Sequence, residues 1–249
     1  GDVYKRQNLG LPNYRFIENY YAELTPGIPT DSFFLPDVTA NALAAMDRGP
    51  VFSFNVTYQN HGPYSGSTAR FSEDYVPQGD LSESDYRIVN NYLYGIEDTC
   101  GHMKTMLDTF RTCEKPVILV FFGDHKPWLG EQSVTYGALG IDITSDSDES
   151  FYRYYATDYL IWANDAAKAV LGNDFVGIGP DISPCYLMNV LFDQCGWEGP
   201  GYQKLTDEVM SQLPMLHTTG RYLTGGVLCD TLTEDQRLLA DRMTYAQYY

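Results

Sequence analysis

One stretch, Pro116 to Gly130 (PVILVFFGDHKPWLG), limits what this chain can fold into more than any other. Its apolar run is short, rich in Val, Ile and Phe, and stops abruptly at Gly123, Asp124 and His125. That pattern predicts a strand buried on both faces of a parallel sheet. Open α/β sheets hold ligands just past the carboxyl ends of such strands, so Asp124 and His125 are expected where a metal or a substrate phosphate would sit. The plainer alternative is a turn with a solvated aspartate.

The flanking sequence extends this pattern. VFSFNVTY, residues 51 to 58, has the Val, Phe, Thr and Tyr content of a strand, and it runs into Gln59-Asn60-His61-Gly62-Pro63-Tyr64. Between the two strands, Ile88, Tyr92, Ile96, Cys100, Met103, Met106, Leu107 and Phe110 recur at helical spacing over 82–112, with Ser82 or Ser84 as cap. Strand, helix and strand make a right-handed crossover, which predicts His61, Asp124 and His125 along one sheet edge. The fold class expected is therefore α/β, a mostly parallel sheet flanked by helices. Further helices are predicted over 13–24 and 37–48, after Ser183-Pro184, after a Thr206 cap, and after a Thr233/Gln236 capping box. A last strand is expected over 156–164.

A chain of 249 residues suits one large domain, here 8–249. Gly1 to Gln7 joins no periodic pattern and is set aside as a possible junction scar, with the native start expected upstream. Lys and Arg total 16 against 33 Asp and Glu, a formal charge of -17, and no basic cluster interrupts the acidity. Nucleic acid and anionic membrane surfaces both need a cationic footprint and are not expected as partners, the membrane being reached only through a missing amino-terminal region. The five cysteines include no zinc-type spacing, and Cys100 and Cys113, on one helix, are too far apart for a disulfide; most of the five read as small buried hydrophobes. The Asn55-Val56-Thr57 sequon falls inside the predicted strand, where glycosylation could hardly reach it.

Asp124 offers a hard carboxylate and His125 a borderline imidazole, a mixture suited to manganese or zinc and tolerable for magnesium. Two ligands do not close a site. His61 suits contact with an anionic oxygen or protonation of a leaving group, but also the capping of a turn. His102, inside the long helix, and His217, among short polar residues, have ordinary structural readings. The acidic patch Asp142, Asp146, Asp148 and Glu149 matches a calcium loop only loosely. No P-loop, H-E-x-x-H, G-x-S-x-G or dinucleotide fingerprint offers another chemistry.

VFSFNVTYQNHGPY, NNYLYGIEDTCGHMKTML, PVILVFFGDHKPWLG, YYATDYLIWAN and DISPCYLMNVL, in that order, resemble the carboxyl half of the extracellular domain of lipoteichoic acid synthase and related phosphoglycerol transferases. That family belongs to the sulfatase and alkaline phosphatase superfamily, and the resemblance covers about residues 28 to 195. It implies that Asp124 and His125 correspond to the metal-binding pair and His61 to a substrate-contacting histidine. It also implies a divalent metal, manganese first with zinc, magnesium or calcium as alternatives, and a lipid-linked phosphodiester or polyol-phosphate substrate at the extracellular face of the membrane. The family's threonine nucleophile and upstream acidic ligand lie on earlier strands, and its membrane spans earlier still. This chain is thus expected to be truncated at its amino terminus, soluble, to carry half of a split site, and to be inactive alone.

Three functions compete on these grounds. The first is a metal-dependent phosphoglycerol or phosphoethanolamine transferase; the second is a sulfatase or phosphodiesterase-type hydrolase of the same superfamily. The third is a non-catalytic binding domain with a degenerate site. No cysteine here stands in the sulfatase maturation motif C-x-P-x-R, which would itself lie upstream.

Overall fold

The computed structural model describes residues 10–11, 13–16, 20–25 and 27–246, which fall into two compact units. The described residues of the first lie within 10–112, 125–145 and 153–156; those of the second lie within 113–124, 146–152 and 157–246.

In the first unit, helix α1 (Asp31–Met46) packs on the long helix α2 (Glu83–Arg111). The start of α2 is fixed as its sequence implies: the Ser82 side chain accepts from the Asp85 amide, and Glu83 and Asp85 place negative charge at the positive end of the helix dipole. Its buried face differs from the apolar stripe expected. Ile96 and Cys100 are exposed, whereas Asn91, Gly95 and Thr99 are buried, so one stripe of α2 is small and polar. A compact core of Ile88, Leu129 and Tyr136, with Tyr64, Tyr92, Leu139 and Ile143 against it, joins α2 to the loop after His125 and to the short helix α3 (Thr135–Ala138). Helix α1 begins before Pro36 rather than after it. The helix expected over 13–24 is, among the described residues, a single 3-10 turn at Tyr21–Glu23; residues 17–19 lie outside them.

The second unit holds β1 (Ile118–Phe122) and β2 (Tyr159–Ala163), both where the sequence puts strands. They pair antiparallel, from Ile118 opposite Ala163 to Phe122 opposite Tyr159, which corrects the expectation of a mostly parallel sheet. Residues 51–58, in the first unit, join no ladder among the described residues, and Val51, Phe52, Phe54, Val56 and Tyr58 are exposed. β-propensity marks a segment that suits a pleated surface, but a strand exists only where neighbouring main chain takes its hydrogen bonds. Apolar runs likewise report burial and not the direction of the partner strand. With 51–58 unpaired, the crossover that would set His61 on a common sheet edge is not present. Asn55, expected to be buried, is exposed as well.

Asn164 fixes the start of this unit. Its Oδ1 accepts from the Val117 and Ala167 amides at 3.0 and 2.9 Å, and its Nδ2 donates to the Cys113 and Lys115 carbonyls at 3.0 and 2.9 Å. One buried side chain thereby caps helix α5 (Asp165–Leu171) and anchors the chain entering β1. Helix α4 (Asp148–Tyr155) precedes β2 and opens on Asp148 and Glu149 of the acidic patch. Beyond α5, Tyr186, Val209, Leu213, Leu239 and Met243 form the main core between α6 (Leu187–Cys195), α7 (Gly201–Gln212) and α8 (Glu234–Ala246). A small antiparallel sheet, β3 (Met215–Leu216), β4 (Tyr222–Thr224) and β5 (Val227–Cys229), lies before α8. The Thr233/Gln236 capping box forms as read. Thr206 does not cap: it is buried inside α7 and bonds Asn189. All five cysteines are thiols, and of these only Cys195 is buried. Among the described residues no helix is long and apolar enough to cross a membrane.

Replacing Asn164 by Ala would leave two amides and two carbonyls without this partner, each worth about 1 kcal/mol or more when buried. We expect a loss of about 2–4 kcal/mol in urea denaturation, against less than about 0.5 kcal/mol for Val170→Ala on the exposed side of the same helix. Equal effects would refute the clasp.

Candidate functional site

His61 ends a closed turn. Its amide donates to the Tyr58 carbonyl at 3.0 Å, and the Tyr58 and His61 rings stack with centroids 4.6 Å apart and planes at 7°. Its Nδ1 lies 2.7 Å from the Gly62 carbonyl oxygen. A carbonyl can only accept, so Nδ1 carries the hydrogen and the neutral ring keeps its lone pair on Nε2. The ring is exposed, and the backbone just before it is bound to the helices beneath. Gln59 Oε1 accepts from the Asp31 amide at 2.8 Å and Gln59 Nε2 donates to Asp98 at 2.7 Å. Asn60 Nδ2 donates to the Gly95 carbonyl at 2.9 Å and to Thr99 Oγ1 at 2.8 Å. On the other side, Tyr64 donates its hydroxyl to the Asn60 carbonyl at 2.6 Å, and burial pushes that phenol up to about 12, so it remains a donor at neutral pH.

The second candidate loop leaves β1 at Gly123, whose carbonyl accepts from Thr157 Oγ1 at 2.7 Å. A β-carbon on Gly123 would come within 3.2 Å of the Thr157 side chain, which is why the strand ends on glycine. Asp124 and His125 follow, both exposed. His125 repeats the arrangement at His61: its Nδ1 lies 2.8 Å from the Lys126 carbonyl oxygen, so the neutral ring's lone pair is on Nε2. Pro127 and Leu129 then bind the loop down. The Pro127 carbonyl accepts from Tyr136 at 2.9 Å, and Leu129 is buried against Ile88 and Tyr136.

The turn after His61 and the loop after His125 therefore rest on the same helix, since Tyr64 and Leu129 share the core on α2. They also approach each other directly: a β-carbon on Gly62 would lie 3.7 Å from the Trp128 carbonyl oxygen. A common strand edge does not bring them there, because the segment before His61 is not in a ladder; side-chain packing on α2 does. Asp124 closes the β1 end of the second unit.

Asp124 and His125 are donor types suited to a divalent cation, a carboxylate and an imidazole whose Nε2 is set as the acceptor by the Lys126 carbonyl. Among the described residues no three His, Cys, Asp or Glu side chains gather to hold an ion. The acidic patch forms no such group either. Asp142 accepts from the amide and hydroxyl of Thr144, and Asp148 pairs with Arg221. His102 sits 3.6 Å from Asp98 on α2. His217 in the second unit meets the Phe151 ring edge-on, and burial lowers its pKa. Sequence reasoning missed Tyr58, Gln59, Asn60 and Gly95; a glycine inside a long helix was the one available signal.

The sulfatase family profile matches residues 4–219. The chain belongs to the sulfatase family. A Rhizobium meliloti (strain 1021) protein named for cyclic beta-1,2-glucan modification is 28% identical over 222 residues, covering 86% of this sulfatase-family chain and 32% of its own length. Among solved structures, the Streptococcus pyogenes phosphoglycerol transferase GacH in complex with sn-glycerol-1-phosphate matches with a TM-score of 0.56 and 18% identity, over 85% of this chain and 47% of that one. At that identity the likeness bears on the fold alone, which is sulfatase-like. The chain spans about a third of the curated relative and about half of the solved one.

Beneath Gln59 and Asn60, Asp31 is 1% exposed, and its Oδ1 has no hydrogen-bond partner. Burial raises its pKa above the ordinary 3.8; the Thr99 hydrogen bond and His102 oppose the rise and Asp98 adds to it. The folded carboxyl thus holds its proton to a higher pH than the unfolded one, so its contribution to stability is lost as pH rises through the raised value. We expect wild type to lose stability relative to Asp31→Asn as pH climbs from about 4 toward neutrality, measured by urea denaturation at each pH. A difference independent of pH would show that Asp31 is not desolvated.

Proposed function

We propose that this chain is part of a metal-dependent transferase of phosphoglycerol or a related polyol phosphate, acting on lipid-linked phosphodiesters outside the membrane. Asp124 and His125 are its metal ligands, and His61 handles the substrate. One observation carries the reading: His61 and His125 both spend Nδ1 on a main-chain carbonyl, so each has Nε2 as its accepting nitrogen. Membership of the sulfatase family supports it, as does a structural relative solved with sn-glycerol-1-phosphate.

A bound divalent cation, manganese first, would polarise phosphoryl oxygens and lower the pKa of an attacking hydroxyl. In this reading the neutral His61 Nε2 accepts from a protonated substrate oxygen, and its protonated form donates to the oxygen of the leaving group. The stacked Tyr58 ring and the Gly62 carbonyl hold the imidazole in one orientation while it does so. His125 and Asp124 bind and orient. The hydrolase reading shares all of these roles and differs in the acceptor, water in place of a polyol or glycan hydroxyl.

In the complete protein, Asp124→Asn keeps the side chain's volume and removes its charge. Metal affinity is expected to fall at least tenfold, and turnover of a phosphoglycerol donor with it, while the melting temperature changes little. His61→Ala should retain metal, with kcat lowered about 10²- to 10⁴-fold. Metal analysis beside a turnover assay checks both variants. Full metal and full activity in Asp124→Asn would overturn the assignment.

A further inference from the structure

We propose that Asn60 is the positioning residue for His61 and that Gly95 exists to receive it. The inference rests on the reading of His61 as the substrate-handling group. An exposed imidazole on a loop acts in catalysis only if its backbone is held, since misplacement by about 1 Å can cost on the order of 10² in rate. Asn60 provides the hold from the adjacent position. Its Nδ2 donates to the Gly95 carbonyl and to Thr99 Oγ1, and Thr99 in turn donates to Asp31 Oδ2 at 2.5 Å, a chain of donors running from the turn to a buried carboxyl. Its carbonyl accepts from Tyr64.

The fit at Gly95 is the specific feature. A β-carbon there would lie 1.9 Å from Asn60 Oδ1 and 3.0 Å from its Cγ, so a side chain at 95 would push the Asn60 amide out of this position. Glycine is a poor choice for the interior of a long helix, and Gly95 needs no unusual backbone angle: it sits in regular helix and is absent from the positive-φ positions. What the helix gains in exchange is a gap that the Asn60 side chain fills. A plain clasp between loop and helix is already supplied by Gln59 and by Tyr64; the Asn60 bonds fix the main chain immediately before the imidazole.

Gly95→Ala in the complete protein tests this, because alanine favours the helix while closing the gap. We expect the melting temperature and metal content to hold, KM to change little, and kcat to fall about 10- to 100-fold. In parallel, ¹⁵N-imidazole spectra of the same protein should show His61 as the single Nδ1–H tautomer in wild type and as a tautomer mixture in the variant. If Gly95→Ala melts at a lower temperature, Asn60→Ala, which introduces no clash, takes its place under the same readouts. A His61 tautomer unchanged in the variant, with turnover intact, overturns the positioning role and leaves the proposed function standing. A wild type without turnover whose His61 still loses its single tautomer in the variant upholds the positioning and counts against the proposed function.

Discussion

The small polar stripe on α2, Asn90, Asn91, Gly95 and Thr99, is what the rest of the first unit depends on. The chain from Gln59 to Leu81 has no helix or strand of its own, so its main-chain groups need partners from elsewhere. Asn90 takes the Tyr75 and Val76 amides at 2.7 and 2.9 Å and gives back to the Val76 carbonyl at 3.0 Å. Asn91 takes the Arg70 amide at 2.7 Å and donates to the Ser65 and Thr68 carbonyls at 2.8 Å each. Gly95 and Thr99 continue the stripe by taking Asn60. Buried amides of this kind are costly unless satisfied on both sides, and here each is satisfied by loop main chain, so the loop has one low-energy course over the helix. His61 stands where that course begins.

This arrangement explains which parts of the fold can be read along the chain and which cannot. Helix α2, its Ser82 cap, β1, β2 and the Thr233/Gln236 box are local: periodicity and capping chemistry specify them within a few residues. The partner of a strand is not local, which is why 51–58 reads as a buried strand yet forms no ladder here and why β1 and β2 prove antiparallel. Helix α4 escapes notice because its acidic opening, Asp148 and Glu149, resembles a solvated loop, although Ser150 and Phe151 behind it are buried. Thr206 misleads for the opposite reason, since the hydroxyl that suits a cap is used inside α7 against Asn189.

The candidate site divides in the same way. The residue types at 61, 124 and 125 point to phosphate and metal chemistry only through their resemblance to the phosphoglycerol transferases, and the profile match shows the wider sulfatase family. What prepares them is invisible in sequence: the main-chain carbonyls of Gly62 and Lys126 that set both tautomers, and the Tyr64 and Leu129 side chains that seat both loops on α2. Asn60 and Gly95 are far apart along the chain and individually unremarkable; only the gap at one and the amide at the other give them a joint meaning.

In the proposed function, His125, with its Nδ1 engaged by the Lys126 carbonyl, offers Nε2 to a divalent cation that Asp124 also binds. Electron spin echo spectroscopy of the complete protein loaded with Mn²⁺ tests it directly, because a coordinated imidazole nitrogen modulates the echo of the metal. Modulation from one histidine nitrogen that disappears in His125→Ala is expected. Tightly bound manganese with no nitrogen modulation, or with modulation unchanged in that variant, would contradict it.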